Sequence, residues 1–246
     1  MNKTRTAAAA ALLGLLAACG GGGDGEAPPV VNANAEGFWE GTSTAGDPVA
    51  LLVTDEGKLW SFYLSSNQVT VLQGSGSTQG NNYTANGKAY GMSGPGSAMS
   101  LSATVEEKKA LRGNVTGAKT FSFNADYSKE YEIKASLDEV KGTWVVEDGV
   151  TISTTIAASG NLVGYMAANS GRCDFSGSIA PHASKNYFRT SITFANNCAV
   201  GYAGVSTTGV ALVGEGGADR SSLILATSVP ADGAFMFTLV GERTPD

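Results

Sequence analysis

The chain has 246 residues, a formal net charge of −6 and a single His, with Lys+Arg at 16 against Asp+Glu at 22. That balance argues against a basic nucleic-acid-binding module, and one His excludes chemistry that needs two imidazoles in a chain. Charged residues make up only 15% of the chain, against ~25% in average usage, and Gly, Ala, Ser, Thr, Val and Asn dominate, which excludes a coiled coil.

The first element is an export leader. Lys3 and Arg5 form a short positive region, and residues 7–18 are uncharged over a length that suits a signal-peptide core but falls short of the ~20 residues of a membrane span. The stretch ends in Leu16-Ala17-Ala18-Cys19, which resembles the lipobox of bacterial lipoproteins. The resemblance implies that residues 1–18 are removed and that Cys19 is lipidated and becomes the acylated N-terminus. Each buried lipid CH₂ adds ~0.8 kcal/mol, so several acyl chains on one residue hold a protein to a membrane without a spanning segment. Gly20 rather than Asp follows the Cys, and in the same family that implies outer-membrane sorting, with the domain on the periplasmic face or the cell surface. Loss of Lys3 and Arg5 with the leader takes the net charge to −8, which disfavours phosphate backbones and anionic headgroups as partners.

Residues 19–35 (CGGGGDGEAPPVVNANA) read as a flexible Gly/Pro-rich tether. Gly20, Gly22 and Gly25 satisfy the spacing G-x-G-x-x-G. No strand precedes them and no helix follows, so dinucleotide binding fails on context. The poly-Gly run after the Cys resembles the anchor of surface lipoproteins such as transferrin-binding protein B and the factor H binding protein, over about six residues.

Beyond the tether the pattern is all-β. Short alternating runs rich in β-branched and aromatic residues occupy residues 49–54, 58–64, 120–125, 150–156, 187–194 and 235–240. Turn signals separate them at residues 55–57, 86–87, 148–149, 159–160 and 232–233. The one helical candidate, residues 105–111 (VEEKKAL), reads better as a charged hairpin tip at that length.

The chain divides into similar halves, residues 36–140 and 141–246. Glu36-Gly37-Phe38-Trp39 matches Lys141-Gly142-Thr143-Trp144, residues 56–59 match 159–162, and Asn82-Tyr83 matches Asn186-Tyr187. The G-x-W opening of each half resembles the start of calycin-type barrels, the group of lipocalins and avidins. It implies two tandem antiparallel β-barrel modules in which Trp39 and Trp144 pack the core at a closed end. An eight-stranded barrel is wide enough either to be filled by side chains or to hold one small ligand.

With Cys19 assigned to lipid, Cys173 and Cys198 remain, and in an exported chain they are expected to form a disulfide closing a long hairpin. His182 lies in the sequence APHASK, read as a solvated loop inside that hairpin. No G-x-S-x-G, H-E-x-x-H or S-x-x-K signature occurs, and the acidic pairs Glu106-Glu107, Asp138-Glu139 and Glu147-Asp148 read as solvated turn charges. Neighbours on a strand point to opposite faces, which makes such pairs poor acid/base partners. No catalytic residue, metal ligand or cofactor site is assigned. Trp60, Phe62 and Leu64 share one strand face, read as core packing rather than a ligand platform. Tyr83, Tyr90, Tyr127 and Tyr131 fit either a recognition surface or half-buried strand positions, and residues 91–96 (GMSGPG) either a binding loop or a plain connection. The functional expectation is a membrane-anchored envelope lipoprotein that acts as a non-catalytic binding or interaction module for a protein or a small apolar ligand. The alternatives are a structural lipoprotein without a ligand and an enzyme with a scattered loop site.

Overall fold

A computed structural model describes residues 31–66, 68–91, 95–147, 149–169, 171–199, 201–215, 221–229 and 236–244. Two meanders of eight strands each close into a barrel, with every neighbouring pair antiparallel. The first runs β1 (Gly37–Ser43), β2 (Pro48–Val53), β3 (Lys58–Ser65), β4 (Gln68–Gln79), β5 (Asn82–Tyr90), β6 (Ser97–Glu106), β7 (Ala110–Gly117) and β8 (Phe121–Tyr127). The second runs β9 (Gly142–Glu147), β10 (Thr151–Ile156), β11 (Asn161–Ala168), β12 (Gly171–Pro181), β13 (Phe188–Phe194), β14 (Ser206–Glu215), β15 (Ser221–Ser228) and β16 (Met236–Arg243). Closure pairs the end strands of each meander, β1 with β8 and β9 with β16, the latter through Val145 opposite Glu242 and Trp144 opposite Arg243. The two-barrel, all-β expectation is met.

Strand alternation decides what fills each barrel. In β6 the sequence SAMSLSATVE buries Met99, Leu101, Ala103 and Val105 and exposes the residues between them. Trp39, Leu51, Leu59, Tyr83, Leu111 and Phe123 complete much of the first interior. The second interior is built on Trp144 and on Phe175, Phe194 and Phe237, whose ring centroids lie 5.2 to 6.1 Å apart. Both barrels are packed with side chains, and each fully buried Leu or Phe contributes roughly 1.5 to 3 kcal/mol.

The repeat is exact at the barrel ends. Trp39 Nε1 donates to the carbonyl of Ala35 at 3.1 Å, and Trp144 Nε1 to that of Val140 at 2.7 Å. Gly57 N–H donates to Thr54 and Gly160 N–H to Ala157, closing equivalent turns 103 residues apart. The third sequence match is out by one residue. Strand pairing puts Thr78 opposite Tyr83 and Pro181 opposite Phe188, so the partner of Tyr83 is Phe188 and not Tyr187. One residue in a strand exchanges faces: Tyr83 lies inside its barrel, whereas Tyr187 packs outside the other.

Residues 86–87, read from sequence as a turn, lie within β5 instead. Gly87 stands opposite Gly74, where a Cβ on Gly87 would sit 2.1 Å from the Gln73 carbonyl, so the glycines permit close approach rather than a turn. Residues 107–109 form the β6–β7 turn, as expected for a charged hairpin tip. Among the described residues the helical elements are two single turns between the barrels: a 3₁₀ turn, Lys129–Glu132, and α1, Leu137–Val140, capped by the Ser136 hydroxyl, which accepts from Asp138 N–H at 3.3 Å.

Both barrels belong to one compact unit, Val31–Asp246, and a third apolar cluster joins them. From the first barrel it takes outward residues of β2 to β4, including Leu52, Trp60, Phe62 and Val71; from the second, Val210, Leu212 and Ala226 of β14 and β15. Trp60 and Phe62 thus pack in a core as expected, and that core lies between the barrels. Leu59 and Tyr63 point into the barrel, while Trp60 and Phe62 point out of it and are buried only because the second barrel covers them; Leu64, on the same face, stays 40% exposed.

Candidate functional site

The joint between the barrels is framed by a polar and aromatic clasp. Tyr131, from the linker, and Tyr187, just before β13, stack in parallel with centroids 6.4 Å apart, and Tyr127 meets Tyr131 edge-on at 6.4 Å. Their hydroxyls donate to carboxylates: Tyr127 to Glu132 at 2.7 Å, Tyr131 to Glu36 at 3.1 Å and Tyr187 to Asp55 at 3.1 Å. Burial, then the adjacent carboxylates, pushes the phenols of Tyr131 and Tyr187 well above the ordinary tyrosine range, so both remain neutral donors. Lys185 Nζ bridges Glu132 at 2.7 Å and Glu36 at 3.6 Å and lies 4.9 Å from the centre of the Tyr131 ring. Hydrogen bonds from Lys108, Lys185 and Tyr127 hold the Glu132 carboxyl down at about 2.

His182 belongs to this clasp, which corrects its reading as a solvated loop residue. It is 8% exposed, stacks on Tyr187 at 4.6 Å, and places Nε2 3.4 Å from Asp55 Oδ2 of the first barrel. Its Nδ1 accepts from the Ser184 N–H at 3.4 Å, so both ring nitrogens are engaged in structural contacts. Tyr83, Tyr90 and Tyr131 are at most 2% exposed, so they form no recognition surface. Of residues 91–96, positions 92–94 lie outside the described residues; a Cβ on Gly96 would strike the Tyr90 ring at 2.5 Å, which places this end of the connection against that ring.

Alongside the clasp, a groove of about 720 Å³ opens between the outer faces of the two barrels. Trp60, Tyr187 and Val210 contribute its buried base, and they are 5%, 1% and 4% exposed. One wall comes from β3 to β5 with Lys58, Gln73, Ser75, Asn86 and Lys88; the other from β12 to β15 with Ser178, Arg189, Ser191 and Thr208. Strand alternation delivers these side chains, since each is the outward partner of an inward core residue. Lys58 Nζ donates to Ser75 Oγ at 3.2 Å, Ser178 and Ser191 hydroxyls lie 3.0 Å apart, and Arg189 reaches across the barrels to Glu56 at 2.6 Å. The lining holds three cations, Lys58, Lys88 and Arg189, against one carboxylate, Glu56, in a chain where acids outnumber bases. Chemically this surface offers hydroxyl, amide and cationic groups and almost no open aromatic face.

Of the residues singled out from sequence, Trp60 and Tyr90 line the groove, whereas the cysteines, Trp39, Trp144 and the acidic pairs fall elsewhere. Cys173 in β12 and Cys198 after β13 form the expected disulfide, just past the last paired rung of that hairpin, Phe175 opposite Phe194. Asn197 reinforces the crossing by donating to Asp174 at 2.7 Å, and Arg172 and Asn197 together lower the Asp174 carboxyl. Trp39 and Trp144 are fully buried in their interiors. Glu106 pairs with Arg112 at 3.0 Å and Asp138 with Lys141 at 2.7 Å; both acids are solvated as expected, but Glu106 ends β6 and Asp138 lies in α1, so neither is the turn residue expected from sequence. The lipobox and Cys19 lie outside the described residues. Among the described residues no group of three or more His, Cys, Asp or Glu side chains could hold a metal ion, and no helix is long and apolar enough to cross a membrane.

The groove was missed because it belongs to neither half alone. A signal existed in the comparison of the halves: the outward residues Leu52 and Val71 correspond, 103 positions later, to Thr155 and Asp174. Apolar side chains on an outward face in one repeat and not in the other mark a covered surface. No known protein family matches the chain, and no curated protein matches it.

Proposed function

We propose that the protein is a lipid-anchored envelope lipoprotein that binds a ligand without catalysis, and that the ligand seat is the groove between the barrels. The anchor rests on the resemblance of Leu16-Ala17-Ala18-Cys19 to a lipobox and on the Gly/Pro-rich tether that follows. The observation that carries the binding reading is the contrast between two barrel interiors packed with side chains and an open, polar-walled groove outside them. A volume of this size falls in the range of ~300–1,000 Å³ typical of ligand sites. Carriage of an apolar ligand inside a barrel is correspondingly disfavoured.

Metabolic labelling with a fatty-acid analogue tests the anchor: label in the wild-type protein and none in Cys19→Ser is expected, and label retained by the variant would refute it. Protease shaving of whole cells separates cell-surface display from residence on the periplasmic face. For the seat, Thr208→Trp fills the groove from an exposed strand position, and it should abolish ligand binding while thermal unfolding is unchanged. Binding that survives this substitution places the seat elsewhere.

A further inference from the structure

We infer that the groove takes an acidic oligosaccharide, an inference that rests on the groove being the ligand seat. Three features of the lining select this chemistry. First, its polar groups are dominated by hydroxyls and amides, including Ser75, Asn86, Gln73, Ser191 and Thr208, which pair as both donors and acceptors with a ligand rich in hydroxyls. Second, the aromatic rings at the base are buried: Trp60, Tyr90 and Tyr187 are at most 5% exposed, so they offer no open platform on which a nucleobase or a flat apolar ligand would stack. Third, the sign of charge is inverted. Lys58 and Lys88 come from one wall and Arg189 from the other, with Glu56 the one carboxylate of the described lining and Asp55 3.9 Å from Arg189 beside it, on a chain whose net charge is −6. A chain of negative net charge repels anions at long range, so it is the cations of this groove that hold an acidic ligand there.

Glu56 has a specific part in this arrangement. It lies at the mouth and accepts from Arg189 at 2.6 Å, and so competes with an incoming anion for the guanidinium. The ligand's carboxylate or sulfate replaces Glu56 as the partner of Arg189, with Lys58 opposite. Because the Arg189–Glu56 pair is exposed on both sides, breaking it leaves folding nearly unaffected.

The test uses the full chain in detergent and three oligosaccharides of equal length: one sulfated, one carrying uronic carboxylates and one neutral. Fluorescence of Trp60, the one Trp that lines the groove, and calorimetry report binding. At least one acidic probe is expected to bind at least tenfold more tightly than the neutral one, and to weaken as salt rises from about 50 to 200 mM, within the range where surface charges are screened. The better of the two acidic probes identifies the anionic group. Lys58→Gln with Arg189→Gln should cost at least tenfold, whereas Glu56→Gln should tighten binding severalfold. Equal binding of the neutral probe, or loss of affinity in Glu56→Gln, overturns the acidic class and leaves the groove as the seat. Failure of all three probes to bind overturns the inference too, and the Thr208→Trp comparison with any other ligand then decides the seat itself.

Discussion

Phe62→Ala separates a barrel-core role from a role between barrels. Phe62 is 6% exposed and lies on the outward face of β3, against the apolar cluster that contains Leu52, Val210 and Leu212. Truncating a buried Phe costs about 3–5 kcal/mol, and a joint between two rigid barrels relaxes more readily than a closed interior, so about 3 kcal/mol is expected. That is roughly a hundredfold loss in the equilibrium coupling of the barrels. The first interior is left intact, because Leu59, Ser61 and Tyr63 occupy the opposite face of the same strand. Hydrogen exchange with mass spectrometry across a urea series follows peptides of β6 to β8 and of β9 to β11 separately. In the wild type the two sets should lose protection together. In Phe62→Ala both midpoints should fall and separate, and Leu212→Ala, on the other side of the joint, should reproduce the effect. Leu59→Ala, by contrast, should strike first at the first barrel. If Phe62→Ala lowered only the first-barrel midpoint and Leu212→Ala only the second, the joint would not couple the barrels and the reasoning would fail.

Replacing Cys173 and Cys198 by Ser should lower stability by about 3.5 kcal/mol, the chain-entropy value for a loop with a separation of 25 residues; urea midpoints with and without reductant check it, and no change would refute it. Gly177→Ala should cost more than 2 kcal/mol, because its Cβ would sit 1.9 Å from the Ser191 carbonyl, whereas Gly149→Ala, at φ +69° with open space around it, should cost only about 1 kcal/mol; thermal unfolding compares the two. Hydrogen bonds hold the Glu132 carboxyl at about 2 in the folded chain, below its ordinary 4.5, so its contribution is complete above pH 4.5 and is lost as pH falls toward 2. Its side chain is 38% exposed, and solvent screening holds the effect to about 1 kcal/mol or less. Glu132→Gln should remove that portion of the acid limb in a pH series of unfolding midpoints, and an unaltered acid limb would count against the assignment.

Much of the fold was legible locally. Strand alternation, the turns at residues 55–57 and 159–160, the paired G-x-W openings and the two remaining cysteines each depend on a short stretch of chain or on a repeat spacing, and each has a direct physical consequence in strand pairing or burial. Local pattern failed where two long-range facts were needed at once. Asn86-Gly87 carries turn chemistry, yet the close approach of β4 keeps it in a strand. His182 lies in a polar loop sequence, yet Asp55 from the other barrel and the Tyr187 ring bury it.

The sequence by itself determined the alternating strands, the division into two similar halves and the buried Trp39 and Trp144, because period-two burial and the repeated G-x-W opening are written into the strands. Only the tertiary structure decided which outward face each barrel presents to the other, since an apolar residue such as Trp60 is equally compatible with an interior and with a joint until its strand's register is fixed. The clasp around Tyr131 and Tyr187 and the cation-lined groove both follow from that choice, drawing residues more than 100 positions apart into contact.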